Sequence, residues 1–359
     1  MEYTLTSLSR LREDAAGSFD AIIDVRSPAE WAEDHLPGAL SMPVLDDEER
    51  ARVGTIYTRE SPFRARKIGA ALVARNAARH IEERLADMPG GWRPLVYCWR
   101  GGQRSNAFAT ILRQIGWRVA VLDGGYRSFR RSVVAALYEA PVPARVVVLD
   151  GNTGTAKTAL LAHLAAQGAQ VVDLEALANH RGSVFGGQAG GQPTQRGFET
   201  ALAMELVGCD PARPLIVEAE SSKVGALRLP PVLWKAMREA PRIEIAAPLA
   251  ARAAHLARSY RDVIDDPAGL AATIERLAPQ HPAERIREWQ ALAAAGAHVE
   301  LAAALMEGHY DPRYAKSRAR GAGVFRTIEA PDLSPAVLGE IAAEIVRAAT
   351  EAVGAVAQA

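Results

Sequence analysis

The chain has 359 residues, 49% apolar and 23% charged, which gives room for about two globular domains and excludes a disordered or fibrous protein. Forty-two Lys and Arg side chains balance 42 Asp and Glu, so no uniformly basic surface coats nucleic acid by charge alone. Two cysteines cannot build a disulfide framework, no apolar run of about 18 residues could span a bilayer, and the polar start lacks a secretion signal's apolar stretch; a soluble cytoplasmic protein is expected.

The balance hides an asymmetry. Residues 1–50 carry 4 basic and 12 acidic side chains, whereas residues 51–131 carry 16 basic and 5 acidic ones. A block of one sign is either a solvated face or a track for a polyanion, and both readings stay open at this point.

In chain order, FDAIIDVR (19–26) reads as a buried strand, RPLVYC (93–98) as a second and WRVAVLDGG (117–125) as a third. Between the last two, Phe108, Ile111, Leu112 and Ile115 stand at helical spacing, and Gly116 suits a left-handed C-terminal cap. Strands alternating with helices imply a mainly parallel α/β sheet. PVPAR (141–145) reads as a linker. A second unit then opens with ARVVVLDG, a continuous apolar run of the kind found in strands buried on both faces. A helix from Thr158 to Gln167, a strand in AQVVDL, a glycine-rich stretch from Arg181 to Gly197, a further helix and a strand in PLIVEAE follow. Residues 248–306 are rich in Ala, Leu and Arg without strand signal, so a helical subdomain is expected there, and an amphipathic helix spans about 334–352.

Cys98 stands at the end of the second strand, where parallel sheets place ligands, in the string CWRGGQRS. Trp99, Arg100, Gly101, Gly102 and Gln103 leave room only for a tight loop before the helix that starts near Arg104. Both glycines can take positive φ and turn backbone N–H groups inward as an anion nest. Those dipoles, the helix N-terminus and Arg100 or Arg104 would favour an anionic sulfur or selenium. Cys209, in VGCDP, has neither glycine nest nor arginine and reads as a packing or loop residue.

Residues 5–135 resemble the rhodanese family of sulfurtransferases, through DVRSPAEWAEDHLPGAL (24–40), the C-x-x-G-x-R-S-like loop with one extra residue, and GWRVAVLDGGY (116–126). The resemblance implies a cysteine that carries a chalcogen atom covalently, with Asp24 and Arg26 bracing the first strand end.

In the second unit Gly151, Asn152, Thr153, Gly154, Thr155, Ala156, Lys157 and Thr158 join a buried strand to a helix, the context of a P-loop. Loop amides would wrap a diphosphate, Lys157 would neutralise it, and Thr158 could reach Mg²⁺. Ala156 stands where the motif expects its last glycine, so a difference in loop geometry or in ligand is expected from the methyl group. Glu218 and Glu220 near a strand end, and Asp173 after AQVV, are acidic candidates for metal or proton binding, and each is equally readable as a surface charge.

A rhodanese unit followed by this P-loop unit resembles the tRNA 2-selenouridine synthase family over nearly the whole chain. The resemblance is carried by YCWRGGQRS, LANHRGSVFG (177–186), QPTQRGFE (192–199), VEAESSKVGALRLP (217–230) and YDPRYAKS (310–317). It implies a wobble 2-thiouridine in the tRNA anticodon arm as substrate. Geranyl diphosphate on the P-loop would alkylate the sulfur, and selenium from selenophosphate would then replace the S-geranyl group, with Cys98 as carrier. His180 and Arg181 would contact diphosphate or selenophosphate, and Phe185 either the prenyl chain or the core. The basic residues Arg59, Arg64, Arg66, Lys67, Arg75 and Arg79, with Arg313 and Lys316 near Tyr310 and Tyr314, become candidate tRNA contacts. Trp99 would stack on the exposed base or cover the sheet edge.

The expected architecture is α/β: a rhodanese-like parallel-sheet domain (1–138), a P-loop NTPase-like α/β core (139–247), a helical subdomain with a basic motif (248–330) and a final helix packed on the P-loop domain (331–359). Two other readings compete, a P-loop ATPase or kinase coupled to sulfur transfer and a non-catalytic tRNA-binding module.

Overall fold

Two five-stranded parallel sheets carry the fold, one in each of two units, Met1–Ala140 with Thr194–Gly208 and Pro141–Pro193 with Cys209–Ala359. The computed structural model describes residues 1–318 and 323–358. Among them no helix is long and apolar enough to cross a membrane.

In the first unit, β1 (Glu2–Tyr3), β2 (Ala21–Asp24), β3 (Ala39–Ser41), β4 (Pro94–Tyr97) and β5 (Ala120–Leu122) lie in the order β1-β5-β4-β2-β3, every pair parallel. β4 is buried throughout because PLVY offers apolar groups to both faces of a central strand. The helices Pro62–His80 and Gln103–Ile115 cover one face, bringing Leu72, Val73, Phe108 and Leu112 onto Ile23 and Val96. Gly116 ends the second helix at φ 111°, as the sequence predicts.

The end of β2 is held by a buried ion pair. Arg26 and Asp24 are each 1% exposed, and the guanidinium meets the carboxylate through Nε at 3.0 Å and Nη2 at 2.6 Å. Arg26 also lies 4.1 Å from the Tyr126 ring centroid and donates to the Asp34 carbonyl at 2.6 Å. The Asp34 carboxylate accepts from Tyr126 Oη at 2.7 Å and from Thr200 Oγ1 at 2.8 Å. Thr200 belongs to the helix Gln195–Leu206, which the sequence reading placed in the P-loop core. In the structure this helix is part of the first unit, where Glu199 takes Arg130 and the Tyr138 hydroxyl. An amphipathic pattern says that a face is buried but not which sheet buries it.

In the second unit, β6 (Val146–Gly151), β7 (Gln170–Val172), β8 (Leu215–Glu218), β9 (Lys223–Val224), β10 (Leu227–Arg228), β11 (Arg242–Ala246) and β12 (Val324–Glu329) form a parallel sheet in the order β12-β11-β6-β8-β7 and a small β9–β10 hairpin. The final helix, Pro335–Gln358, packs Leu338, Ile341 and Ile345 into one cluster with Leu160, Leu161 and Leu164 of the helix Lys157–Ala166. The helical subdomain runs from Leu249–Ser259 to His298–Leu305 around Ile274, Trp289 and Leu301. β12 is a strand that the sequence does not mark in the stretch 248–330, where a helical subdomain followed by a basic motif is expected. It is an edge strand with only Ile328 buried, so its alternation signal is weak.

Replacing Arg26 with Met should leave Asp24 buried without its partner and cost about 3–5 kcal/mol of stability, whereas Asp24→Leu combined with Arg26→Met should cost much less. Chemical denaturation of the three proteins checks this.

Candidate active site

The cysteine loop follows β4. Tyr126 N donates to the Cys98 carbonyl at 2.8 Å and Arg127 N to that of Trp99 at 3.1 Å, so backbone packs on backbone. Gly101 (φ 66°) and Gly125 (φ 57°) make this approach possible, since a Cβ on Gly101 would strike the Leu122 carbonyl and one on Gly125 the Cys98 carbonyl. Of the two glycines expected to take positive φ, only Gly101 does; Gly102, at φ −99°, is the N-cap of the helix Gln103–Ile115.

Cys98 is 3% exposed, with apolar residues around it and the Ser105 hydroxyl 3.2 Å from Sγ. That hydroxyl sits in the first turn of a helix whose N-terminal dipole favours an anion. Arg104 turns its charge to Glu30, which its two terminal nitrogens hold at 2.6 and 3.2 Å, and Arg50 joins the same carboxylate at 3.1 Å. Arg100 and Gln103 are exposed, while Trp99 is half-buried with its ring 5.3 Å from Tyr126. Neither Cys98 nor Cys209 is in a disulfide, and Cys209 is half-buried in the turn after residue 208.

The phosphate loop follows β6, central in the second sheet. Gly151 (φ 156°) and Gly154 (φ 86°) leave no space for a Cβ, which would meet Thr155 Oγ1 at the first and Arg252 at the second. Ala156 takes the left-handed conformation that its missing glycine would have adopted, φ 59° and ψ 30°, as N-cap of the helix Lys157–Ala166. Lys157 Nζ donates to the Gly151 carbonyl at 2.9 Å and lies 5.6 Å from the Tyr314 ring centroid. Burial lowers the lysine's pKa, but Tyr314, Glu175, Asp150 and Glu220 more than offset this, so it stays charged.

Carboxyl groups crowd the same place. Glu218 ends β8 beside β6; one oxygen accepts from Glu175 N at 2.8 Å and the other is buried without a partner. Burial, then Glu175 and Asp173, push its carboxyl well above the ordinary range. Burial and Glu175 push Glu220 up to about 8, and burial raises Glu175 against the pull of Lys157. Carboxyls shifted toward their neutral forms repel a diphosphate less than three fully ionised ones would. Asp173, the other acidic candidate, caps the short helix Leu174–Ala178 through Ala176 N. The Thr158 hydroxyl, expected to reach Mg²⁺, donates to Glu175 at 3.2 Å. Among the described residues no group of three or more His, Cys, Asp or Glu could hold a metal ion, so the side chains present do not form a cage for one.

Two cavities open on this loop. A polar one of about 720 Å³ is lined by the loop residues 153–158 together with Glu175, Glu220, Arg181, Arg313 and Tyr314. An apolar one of about 80 Å³ runs among Phe185, Leu256, Leu270, Leu301 and Leu305. Thr153, Ser183, Leu256, Tyr260 and Tyr310 line both. Arg252, 6% exposed, ties the helical subdomain to the loop: it donates to the Thr153 carbonyl at 3.1 Å and meets Asp311 at 3.0 and 2.8 Å.

The other predicted residues fall into two groups. His180 accepts from Gly182 N at 3.1 Å, and Arg181 pairs with Asp262 and lies over Tyr260 at 4.7 Å. Phe185 is both core and cavity wall. Arg313, expected at the tRNA, lines the polar cavity, held by His309 at 3.2 Å and by Gln280. The Lys316 side chain lies outside the described residues. Arg59, Arg64, Arg66, Lys67, Arg75 and Arg79 are exposed on the first unit. Glu175, Arg252, Tyr260, His309 and Asp311 were not anticipated. Tyr310 and its neighbours lie in the string YDPRYAKS, but only folding brings Asp311 to Arg252.

Ala156→Gly should stabilise the protein by about 1 kcal/mol, because a left-handed alanine costs about 1–2 kcal/mol and the added chain entropy of glycine offsets part of the gain. A melting curve should shift upward by roughly 2–4 °C. His309 is 2% exposed and neutral, its pKa pushed down to about 4 by burial and then by Arg313. Its contribution is present above pH 6.5 and is lost as pH falls through about 4, so His309→Gln should flatten that part of the stability profile.

Residues 4–132 match the family model of the Rhodanese-like domain, and residues 144–272 match that of the tRNA 2-selenouridine synthase AAA domain. The tRNA 2-selenouridine synthase of Nitrosomonas europaea is 35% identical over 262 residues, covering 72% of this chain and 67% of the relative. That of Hahella chejuensis is 38% identical over 251 residues, covering 67% of this chain and 63% of the relative. That of Shewanella loihica is 33% identical over 322 residues, covering 82% and 86%. Both units are matched, and the long alignment spans them, so the chain belongs to the tRNA 2-selenouridine synthase family.

Proposed function

We propose that this protein, an enzyme of tRNA modification, converts wobble 2-thiouridine into 2-selenouridine by two transfers, the first on the phosphate loop and the second at Cys98. The observation that carries the first transfer is the meeting of the two cavities at Thr153, Ser183, Leu256, Tyr260 and Tyr310. A diphosphate on residues 151–158 with an apolar tail among Phe185, Leu256 and Leu301 uses both. A nucleotide would set polar sugar and base atoms against a wall that is mostly apolar, with only Thr153, Ser183, His298 and two tyrosine hydroxyls to bond them. Geranyl diphosphate has the required chemistry.

In the first transfer the sulfur at C2 of the base attacks C1 of the geranyl group. The C–O bond breaks, and the diphosphate leaves with the electron pair. Lys157 and the loop amides stabilise the charge that gathers on it. The N3 proton of the base must also depart, and Glu175, which lines that cavity and whose ionised form Lys157 favours, can take it. In the second transfer the S-geranyl group leaves C2 as geranylthiolate, selenium from selenophosphate takes its place, and water takes the phosphoryl group, so that the P–Se bond breaks and phosphate is released. Alkylation makes this exchange possible because a thiolate is a better leaving group than sulfide. Cys98 serves this second transfer as a thiolate that attacks C2, expels geranylthiolate and is in turn displaced by selenium, with the helix N-terminus and the Ser105 hydroxyl beside Sγ.

Mass spectrometry of 2-thiouridine tRNA treated with geranyl diphosphate and then selenophosphate tests the scheme. Cys98→Ala should accumulate S-geranyl tRNA and form no 2-selenouridine. Lys157→Ala should slow geranylation by about 100-fold or more while retaining tRNA binding. Normal 2-selenouridine output from Cys98→Ala, or geranylation untouched by Lys157→Ala, would refute the corresponding assignment.

A further inference from the structure

The helices Asp47–Arg59 and Pro62–His80 meet at a tight corner in the first unit. Glu60 N and Ser61 N both donate to the Ile56 carbonyl at 3.0 Å, and Ser61 caps the second helix through Arg64 N at 3.3 Å. The corner is thus well ordered by its own hydrogen bonds, yet two aromatic rings point away from the core. Tyr57 is 52% exposed and Phe63 63% exposed, while the adjacent Ile56 is buried. Burying such rings against protein would have been favourable, so a fixed corner that presents both to water is a surface awaiting a partner.

The charge around them has one sign. From Arg52 to Arg79 there are seven Arg and Lys side chains and one acidic residue, Glu60, which Arg64 already pairs at 2.5 Å, while Arg50 just before them is held by Glu30. Lys67 Nζ lies 5.1 Å from the Phe63 ring centroid, so an ammonium and an aromatic ring share one spot. Elsewhere in the basic block three of the cations are held by carboxylates, Arg93 by Asp20, Arg104 by Glu30 and Arg130 by Glu199. What this corner offers is therefore stacking surface beside unneutralised positive charge, the combination that suits splayed bases and their phosphates.

We propose that this corner is a docking surface for the unpaired loop of an RNA hairpin, with Tyr57 and Phe63 stacking on bases and Arg59, Arg66 and Lys67 meeting phosphates. The proposal rests on the reading of tRNA as substrate and names the surface that would hold it. A duplex hides its base faces and would use the cations only.

The test is fluorescence anisotropy of the full chain with a stem carrying a seven-nucleotide loop, and with a blunt duplex of the same stem. Tyr57→Ala and Phe63→Ala should each weaken loop binding by about 5- to 100-fold and leave duplex binding and the melting temperature unchanged, and Phe63→Trp should restore it. Arg66→Gln and Lys67→Gln should each lower the slope of log K against log salt by roughly 0.7–0.9. Equal affinity of both alanine variants for the loop, or equal losses on loop and duplex, would overturn the proposal. So would binding to phosphatidylserine vesicles that is lost in the same variants while RNA binding is kept. If the wild type modifies tRNA but Tyr57→Ala and Phe63→Ala leave its KM for tRNA unchanged, this surface falls and the reading of function stands. A wild type that neither binds nor modifies tRNA overturns both.

Discussion

A parallel strand that runs into a helix leaves only a few residues in which to change direction, and backbone must pass within contact distance of backbone. That constraint governs both sites of this protein. Gly101 and Gly125 lie where the cysteine loop and the loop after β5 touch through main-chain atoms, and neither position has room for a Cβ. Gly151 and Gly154 do the same after β6. The consequence is chemical as well as steric. The Cys98 and Trp99 carbonyls are taken by backbone amides and the Gly151 and Thr153 carbonyls by Lys157 and Arg252, and each loop runs into a helix N-terminus, which favours an anion. Ala156 shows how strong the demand is, since it accepts the left-handed conformation despite its side chain.

Charge is organised on top of that scaffold in two different ways. At the phosphate loop the ammonium of Lys157 is surrounded by acids and phenols, and the acids respond by holding protons. The site thus combines a fixed positive charge with groups that can give or take a proton in the same cavity. At the cysteine loop the arrangement is reversed. Arg104 and Arg50 are drawn onto Glu30, and the sulfur is left with a hydroxyl and a helix end as its close polar partners. A cation held by a carboxylate stabilises a neighbouring anion less than a free one does.

Much of this was legible from the sequence because it depends on local pattern. Continuous apolar runs located β4 and β6, and glycine spacing located both loops; the spacing of Phe108, Leu112 and Gly116 located the helix between them. What was not legible depends on long-range pairing. Val324–Glu329 is an edge strand with five of its six residues not fully buried, so neither alternation nor a full apolar run marks it. Glu175 looks like any acidic residue in a short helix until β8 brings Glu218 under its amide. Arg252 and Asp311 are 59 residues apart in sequence, and nothing in either segment announces the pairing that seats the helical subdomain on the loop. The exposure of Tyr57 and Phe63 likewise cannot be read from aromatic residues in amphipathic helices, which more often face inward.

The helix Gln195–Leu206 carries the largest lesson about organisation. The chain leaves the first unit after Ala140, builds β6, the phosphate loop and β7, returns to the first unit for Thr194–Gly208, and leaves again for β8. Asp34 shows what that return supplies. Its carboxylate is 3% exposed, its pKa is raised by burial, and one of its two hydroxyl partners, Thr200, arrives only with the returning helix. Glu199 arrives with it and answers Arg130 and Tyr138. A fragment ending near residue 138 would therefore keep its sheet and the cysteine loop but leave Asp34 without Thr200, and Arg130 and Tyr138 without their carboxylate. The first unit is complete only when the chain has already made the phosphate loop, so the two chemistries are joined by the path of the backbone and not merely by a linker.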